Sequence, residues 1–122
     1  MRQKYFSFAK ALRHASDGLS HAFKTQANFR IQLVLAWLVI ILSLILNLNI
    51  LDFSIILFAI ILVLSAEMIN TAFETFTNLV GASWRHQAKI AKDVAAGMVL
   101  VVSVGAALVG LIVFTPYLKT FF

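Results

Sequence analysis

Two stretches of this chain carry no charge for the full length of a membrane crossing: Ile31 to Leu51, 21 residues, and Val94 to Leu118, 25 residues. A helix rises about 1.5 Å per residue, so each covers the roughly 30 Å of hydrocarbon in a bilayer. Hydrocarbon offers the backbone no partners, which restricts spanning structures to helices and closed barrels, and unbroken apolar runs of this length belong to helices. Between them, Phe53 to Ala66 gives fourteen uncharged residues. Those cover only about 21 Å, so a second span must draw the acidic residues beyond it into the bilayer boundary. The expectation is an all-α membrane protein of one domain: transmembrane helices over 30–51, 53–79 and 90–118, preceded by an amphipathic surface helix within 1–29. Composition agrees. With 61% hydrophobic and 12% charged residues and a mean hydropathy of +0.95, a soluble fold of 122 residues would have too little interior for its apolar surface.

The surface helix is read from residues 1–30, which hold Arg2, Lys4, Lys10, Arg13, Lys24 and Arg30 against Asp17 alone. Tyr5, Phe8, Leu12, Leu19 and Phe23 recur at helical spacing, with Gly18 as an expected interruption. The connection 79–92 holds Arg85, Lys89 and Lys92, with Gly81 marking the expected end of the second helix. The turn at 48–53 holds Asn49 and Asp52 but no cation, and only Lys119 follows Pro116. This bias predicts a multi-pass protein of the cell inner or plasma membrane, with the N-terminus and the 79–92 connection cytoplasmic and the C-terminus outside. No cleaved leader is expected, because thirty mostly polar residues precede the first apolar run. The net charge of +5 sits on span flanks rather than in an aromatic-interleaved patch, which argues against a nucleic-acid partner. The absence of cysteine excludes disulfides and thiolate metal sites. Trp37 reads as packing inside the first span and Trp84 as an interfacial anchor; Ala106 and Gly110 form a small-xxx-small pair suited to close helix approach.

The second span ends in Ser65-Ala66-Glu67-Met68-Ile69-Asn70-Thr71-Ala72-Phe73-Glu74, which contains two of the five acidic residues in the chain. At about 100° per residue, Glu67 and Glu74 lie within roughly 20° of one another, and Asn70, Thr71 and Asn78 share their stripe. An ionised carboxylate beside hydrocarbon costs several kcal/mol unless a cation or proton accompanies it. Glu67, flanked by apolar residues, suits a general base; the plain alternative is a carboxylate satisfied by an Asn or Thr of a neighbouring helix. Glu74, nearer the cytoplasm, suits a divalent cation, since Mg²⁺ takes one or two carboxylates plus phosphate oxygens; the alternative is a solvated helix end. Asn70 can orient a phosphate or bridge helices. Asp93 reads either as part of the site or as a cap at the start of the third span, and Lys89 and Lys92 either as phosphate contacts or as flanking charge. His14, His21 and His86 read as interfacial polar residues rather than as metal ligands. No glycine-rich phosphate loop occurs, so any nucleotide would have to be held by side chains and Mg²⁺. Three helices enclose such a site poorly, so self-association is expected.

Glu67-Met-Ile-Asn70-Thr71-Ala72-Phe-Glu74, Ala91-Lys92-Asp93-Val-Ala-Ala-Gly97 and Asn28-Phe29-Arg30 together resemble the small prokaryotic diacylglycerol kinase family, which includes the undecaprenol kinases. The resemblance runs over nearly the whole chain. It implies a homotrimeric integral membrane kinase, with sites shared between subunits, that moves the γ-phosphoryl of ATP to a lipid hydroxyl. It further implies Glu67, Asn70 and Asp93 as the catalytic set. Lys10, His14, Gln26, Glu74, Lys92 and Asp93 would bind the nucleotide, with Glu74 and Gln26 as the Mg²⁺ ligands. Two positions depart from the family pattern: Gln26 stands where a metal-binding Glu is common, and Asn78 stands where relatives often carry an acid. The wording of 70–72 and 94–97 is closer to the undecaprenol kinase branch.

The leading expectation is thus an ATP- and Mg²⁺-dependent lipid kinase acting on a membrane lipid alcohol, undecaprenol rather than diacylglycerol. The rival is a small oligomeric proton- or cation-coupled transporter in which Glu67 and Glu74 load and release the ion. Both carboxylates lie toward one face, whereas transport favours a site at the midplane. A purely structural or holin-like protein would leave the carboxylate stripe without a purpose.

Overall fold

The computed structural model describes residues 7–122, in which four α-helices follow one another: α1 (Phe8–Thr25), α2 (Ala27–Ile45), α3 (Ile50–Thr77) and α4 (Arg85–Phe121). Arg2, Lys4 and Tyr5 of the expected surface helix lie outside the described residues. α2, α3 and α4 are each long and apolar enough to cross a membrane. At about 1.5 Å per residue α3 is roughly 42 Å long and α4 roughly 55 Å, against about 28 Å for α2. α3 and α4 therefore have turns to spare beyond the hydrocarbon, and those turns carry the polar residues.

Sequence explains each boundary. Ser7 caps α1, its hydroxyl accepting from the Lys10 N–H at 3.4 Å. Gly18 does not interrupt α1, because a single glycine in an exposed helix costs only about 1 kcal/mol. Gln26, in extended conformation, separates α1 from α2. α2 stops at Ile45, short of the end of its uncharged run, because Asn47 takes the left-handed conformation (φ 58°). The Leu48 N–H then bonds the Ser43 carbonyl at 3.1 Å and the Asn47 N–H bonds Leu44 at 3.2 Å, the Schellman pattern of helix ends. Asn49 caps α3 by accepting from the Asp52 N–H at 2.8 Å. At its other end α3 stops at Thr77, four residues before the expected Gly81. Three successive turn bonds close it there, and Gly81 instead begins a short 3₁₀ turn over Ala82–Trp84.

α3 is the centre of the packing, touching α4 most, α2 less, and α1 at a corner. Its buried residues, Ile56, Val63, Ala66, Glu67, Thr71 and Thr77, fall within about 140° of arc at about 100° per residue and form one inward stripe. Ile56, Val113 and Phe114 form the apolar centre. Most other large apolar side chains point outward, as suits a chain whose solvent is lipid. Trp37, expected to pack, is 63% exposed. No helix lies against Gly110 in the protomer either: a Cβ there would meet nothing within 4 Å. Ser43 and Thr71 donate to their own helix backbone, to the Val39 carbonyl (2.8 Å) and to that of Glu67 (2.9 Å), and so cost little in hydrocarbon, whereas the buried Ser103 hydroxyl has no partner among the described residues of the protomer.

α4 runs unbroken through Pro116 and is tied to α3 at the end remote from the acidic stripe. The Tyr117 hydroxyl donates to Asp52 Oδ2 at 2.6 Å and accepts from the Asn49 N–H at 3.2 Å. Hydrogen bonds to carboxylates are the stronger kind. Tyr117→Phe should lower the thermal midpoint of the detergent-solubilised protein by roughly a few degrees with helix content intact. An unchanged midpoint would show that the clasp contributes nothing.

Candidate active site

Glu67 lies on the inward stripe of α3, about 26 Å along the helix from Ile50 by its rise per residue. It is 4% exposed. Among the described residues no cation pairs with its carboxylate; the single ion pair there is Lys89 with Asp93. Asn70 and Glu74, half-buried, continue the stripe, and Thr71 and Thr77 are buried beside them. Asn78, at the C-cap, is exposed. Glu67, Asn70, Thr71 and Glu74 of the column expected from helical spacing therefore lie on the side of α3 that faces its neighbours, and Asn78 does not.

Glu74 stands in the last turn of α3, where its own carbonyl accepts from the Thr77 hydroxyl at 3.0 Å and the Asn78 N–H at 3.2 Å. An anion at a helix C-terminus opposes the dipole by about 0.3–1 kcal/mol. No ion pair among the described residues offsets that.

The start of α4 lies alongside. A cleft of about 480 Å³ opens between the two helices, lined by Thr77, Asn78, Arg85, Lys89, Lys92 and Asp93. Lys89 Nζ meets Asp93 Oδ2 at 2.7 Å, both side chains largely exposed. Asp93 is therefore no cap, because α4 begins eight residues earlier, at Arg85, and the carboxylate lies in its third turn. Three cations against one carboxylate give the cleft a positive field suited to phosphates. Arg85 and Thr77 belong to this cleft although the sequence reading gave Arg85 only a flanking role. The 85–89–92 spacing, one face of a helix, was the available signal.

Of the α1 residues, Lys10 and His14 are exposed and do not line the cleft within one protomer, and Gln26 sits half-buried at the joint with α2. Among the described residues no three of His, Cys, Asp and Glu converge on a point that could hold a metal. A donor set of carboxylate and amide oxygens still suits Mg²⁺, which completes its shell with water and phosphate. A second groove, of about 470 Å³ and almost wholly apolar, runs between α2 and α4 over α3. It extends from Ile56 to Val63 and Leu64, one turn short of Glu67, and includes Gln32, Ser103 and Gly110.

Residues 13–114 match the profile of the family described as Prokaryotic diacylglycerol kinase. A Diacylglycerol kinase of Synechocystis sp. is 41% identical over 101 residues, 82% of this chain and 58% of that protein; this chain thus spans little more than half the relative's length. An Undecaprenol kinase of Bacillus subtilis is 34% identical over 117 residues, 96% of this chain and 95% of that protein.

A buried charge without a partner costs on the order of several kcal/mol, and a neutral amide of the same shape relieves that cost. Glu67→Gln should therefore leave the thermal midpoint equal to or above that of the parent chain. A clear fall would mean that the carboxylate has a partner holding the helices together.

Proposed function

The chain belongs to the prokaryotic diacylglycerol kinase family, and from that premise we propose that it transfers the γ-phosphoryl of ATP to the hydroxyl of a membrane lipid, undecaprenol in preference to diacylglycerol. The observation that carries this reading is Glu67: a buried, unpaired carboxylate where an apolar groove ends and one helix turn from the polar stripe leading to a cationic cleft. Lipid and nucleotide would approach it from opposite sides. The preference for undecaprenol is supported by the end-to-end match with the Bacillus subtilis relative and by the 70–72 and 94–97 wording.

Phosphoryl transfer requires alignment and charge neutralisation more than covalent chemistry. In this reading Glu67 takes the proton of the lipid hydroxyl as its oxygen bonds to the γ-phosphorus and the bond from that phosphorus to the ADP oxygen breaks. Asn70, just under one turn further along the stripe, orients the incoming phosphoryl. Lys92 and Lys10 offset phosphate charge, Asp93 holds Lys89 in the cleft, and His14 joins the nucleotide contacts on α1. Glu74 and Gln26 are the residues that would hold Mg²⁺. When bound, Mg²⁺ supplies neutralisation of the phosphate oxygens.

The cation bias supports a cytoplasmic N-terminus and 79–92 connection, which would put the cleft on the side where ATP is available. A homotrimer follows from the family resemblance, and self-association is supported by the fact that Lys10 and His14 do not line the cleft of their own chain. A neighbouring copy would bring such groups to the site.

Purified protein incubated with labelled ATP, Mg²⁺ and undecaprenol, diacylglycerol or ceramide should label undecaprenol most. Glu67→Gln should cut that turnover by about 10² or more while the assembly persists, the scale of a lost general base. Equal labelling of every lipid would refute the preference, and near-parent turnover in the variant would refute the role of Glu67. Because Gln26 offers a neutral oxygen, Gln26→Glu should lower the Mg²⁺ concentration giving half-maximal rate. No change in a Mg²⁺ titration would remove Gln26 from the metal site.

A further inference from the structure

Arg30 has no part in the chemistry above, yet it makes the most specific contact at the joint between the surface helix and the first span. Its Nη1 donates to the Phe23 carbonyl at 2.7 Å and to the Lys24 carbonyl at 3.2 Å. These are carbonyls of the last turn of α1, which a helix end leaves without intrahelical partners. The Ala22 carbonyl is already taken by the Gln26 N–H at 2.9 Å. Arg30 itself is the fourth residue of α2. There a cation opposes the dipole of its own helix, whereas it favours the C-terminus of α1. Its contacts thus serve α1. The joint is otherwise only one residue long, the extended Gln26, closed by the buried Ala22 and Phe29 at 2% and 3% exposure.

What the joint directs is a helix with two distinct faces. At about 100° per residue, Phe8, Leu12, Leu19 and Phe23 fall within roughly 60° of arc, and Lys10, Arg13, His14, Asp17, His21 and Lys24 fall on the opposite side. The apolar four are each about half exposed or more. A small change in the angle or roll at Gln26 is magnified along a helix of about 27 Å, displacing Lys10 and His14 in proportion to their separations of about 24 and 18 Å from the joint.

We propose that Arg30 is a positioning residue, capping the C-terminus of α1 so that the direction and roll of that helix present Lys10 and His14 to the nucleotide. The proposal rests on the kinase reading for the nucleotide but not for the geometry. A residue that orients a binding group affects ground state and transition state alike, so its loss raises KM with kcat held.

The test uses Arg30→Gln in the full-length assembled protein, with Arg30→Met serving where the Gln variant does not assemble and Arg30→Lys as the conservative rescue. The chain has no cysteine, so spin labels at Ser16→Cys and Leu44→Cys, diluted with unlabelled protein, report the α1–α2 distance in bilayers. Expected are a broadened distance distribution, an ATP KM raised about fivefold or more with kcat within about twofold, and recovery of both in Arg30→Lys. An unchanged distribution would overturn the positioning role whatever the activity. A broadened distribution with kcat lowered and KM unmoved would overturn the link to the nucleotide. If the parent protein phosphorylates no lipid, the kinase reading fails, and the distance measurement alone decides the role of Arg30 at the joint.

Discussion

A carboxylate surrounded by apolar side chains has no cheap way to remain charged, and the placement of Glu67 sets the terms for the polar half of this molecule. It is 4% exposed on the inward face of α3, and no cation among the described residues answers it. The rest of the chain otherwise follows the rule that hydrocarbon leaves no polar group unpaired. Helix hydroxyls donate to their own carbonyls, Asn49 caps α3, and Tyr117 engages Asp52. The Ser103 hydroxyl, buried without a partner, departs from that rule among the described residues, and so do Glu67 and Glu74, which lie together at one end of α3. Charge left unpaired in this way is what the proposed kinase reading rests on.

Length does the remaining work. α2 is about as long as the hydrocarbon is thick, while α3 and α4 exceed it by several turns. The surplus of α3 carries Asn70, Glu74 and Thr77, and that of α4 carries Arg85, Lys89, Lys92 and Asp93. Two helices thus meet above the hydrocarbon edge with an anionic stripe on one and cations on the other. The Tyr117 clasp fixes their far ends, so the cleft lies at the end where the connection 78–84 is least packed.

Much of this was legible in the sequence because periodicity and charge are local properties. Uncharged runs gave three membrane helices, and 100° spacing put Glu67, Asn70 and Glu74 on one face, which the packing of α3 turns inward. Boundaries were less legible. The end of α2 depends on Asn47 adopting a left-handed conformation inside an uncharged run, which hydropathy does not register. Gly18 and Gly81 looked like breaks, yet neither conformation demands glycine, and neighbouring turns supply the hydrogen bonds. The cap alternative for Asp93 rested on the uncharged run beginning at Val94, whereas the helix begins at Arg85. The cationic cleft required knowing how α3 and α4 lie side by side, and the Arg30 cap required the kink at Gln26; neither is encoded in spacing along one helix.

The central claim is that these carboxylates grip a metal-bound nucleotide beside a buried lipid alcohol. Mn²⁺, substituted for Mg²⁺ and observed by electron paramagnetic resonance with ATP and the protein in bilayers, tests it most directly. The account predicts a protein-bound Mn²⁺–ATP signal in the parent chain that is lost or weakened in Glu74→Gln and retained in Glu67→Gln. Identical binding in all three proteins, or none in the parent, would contradict it.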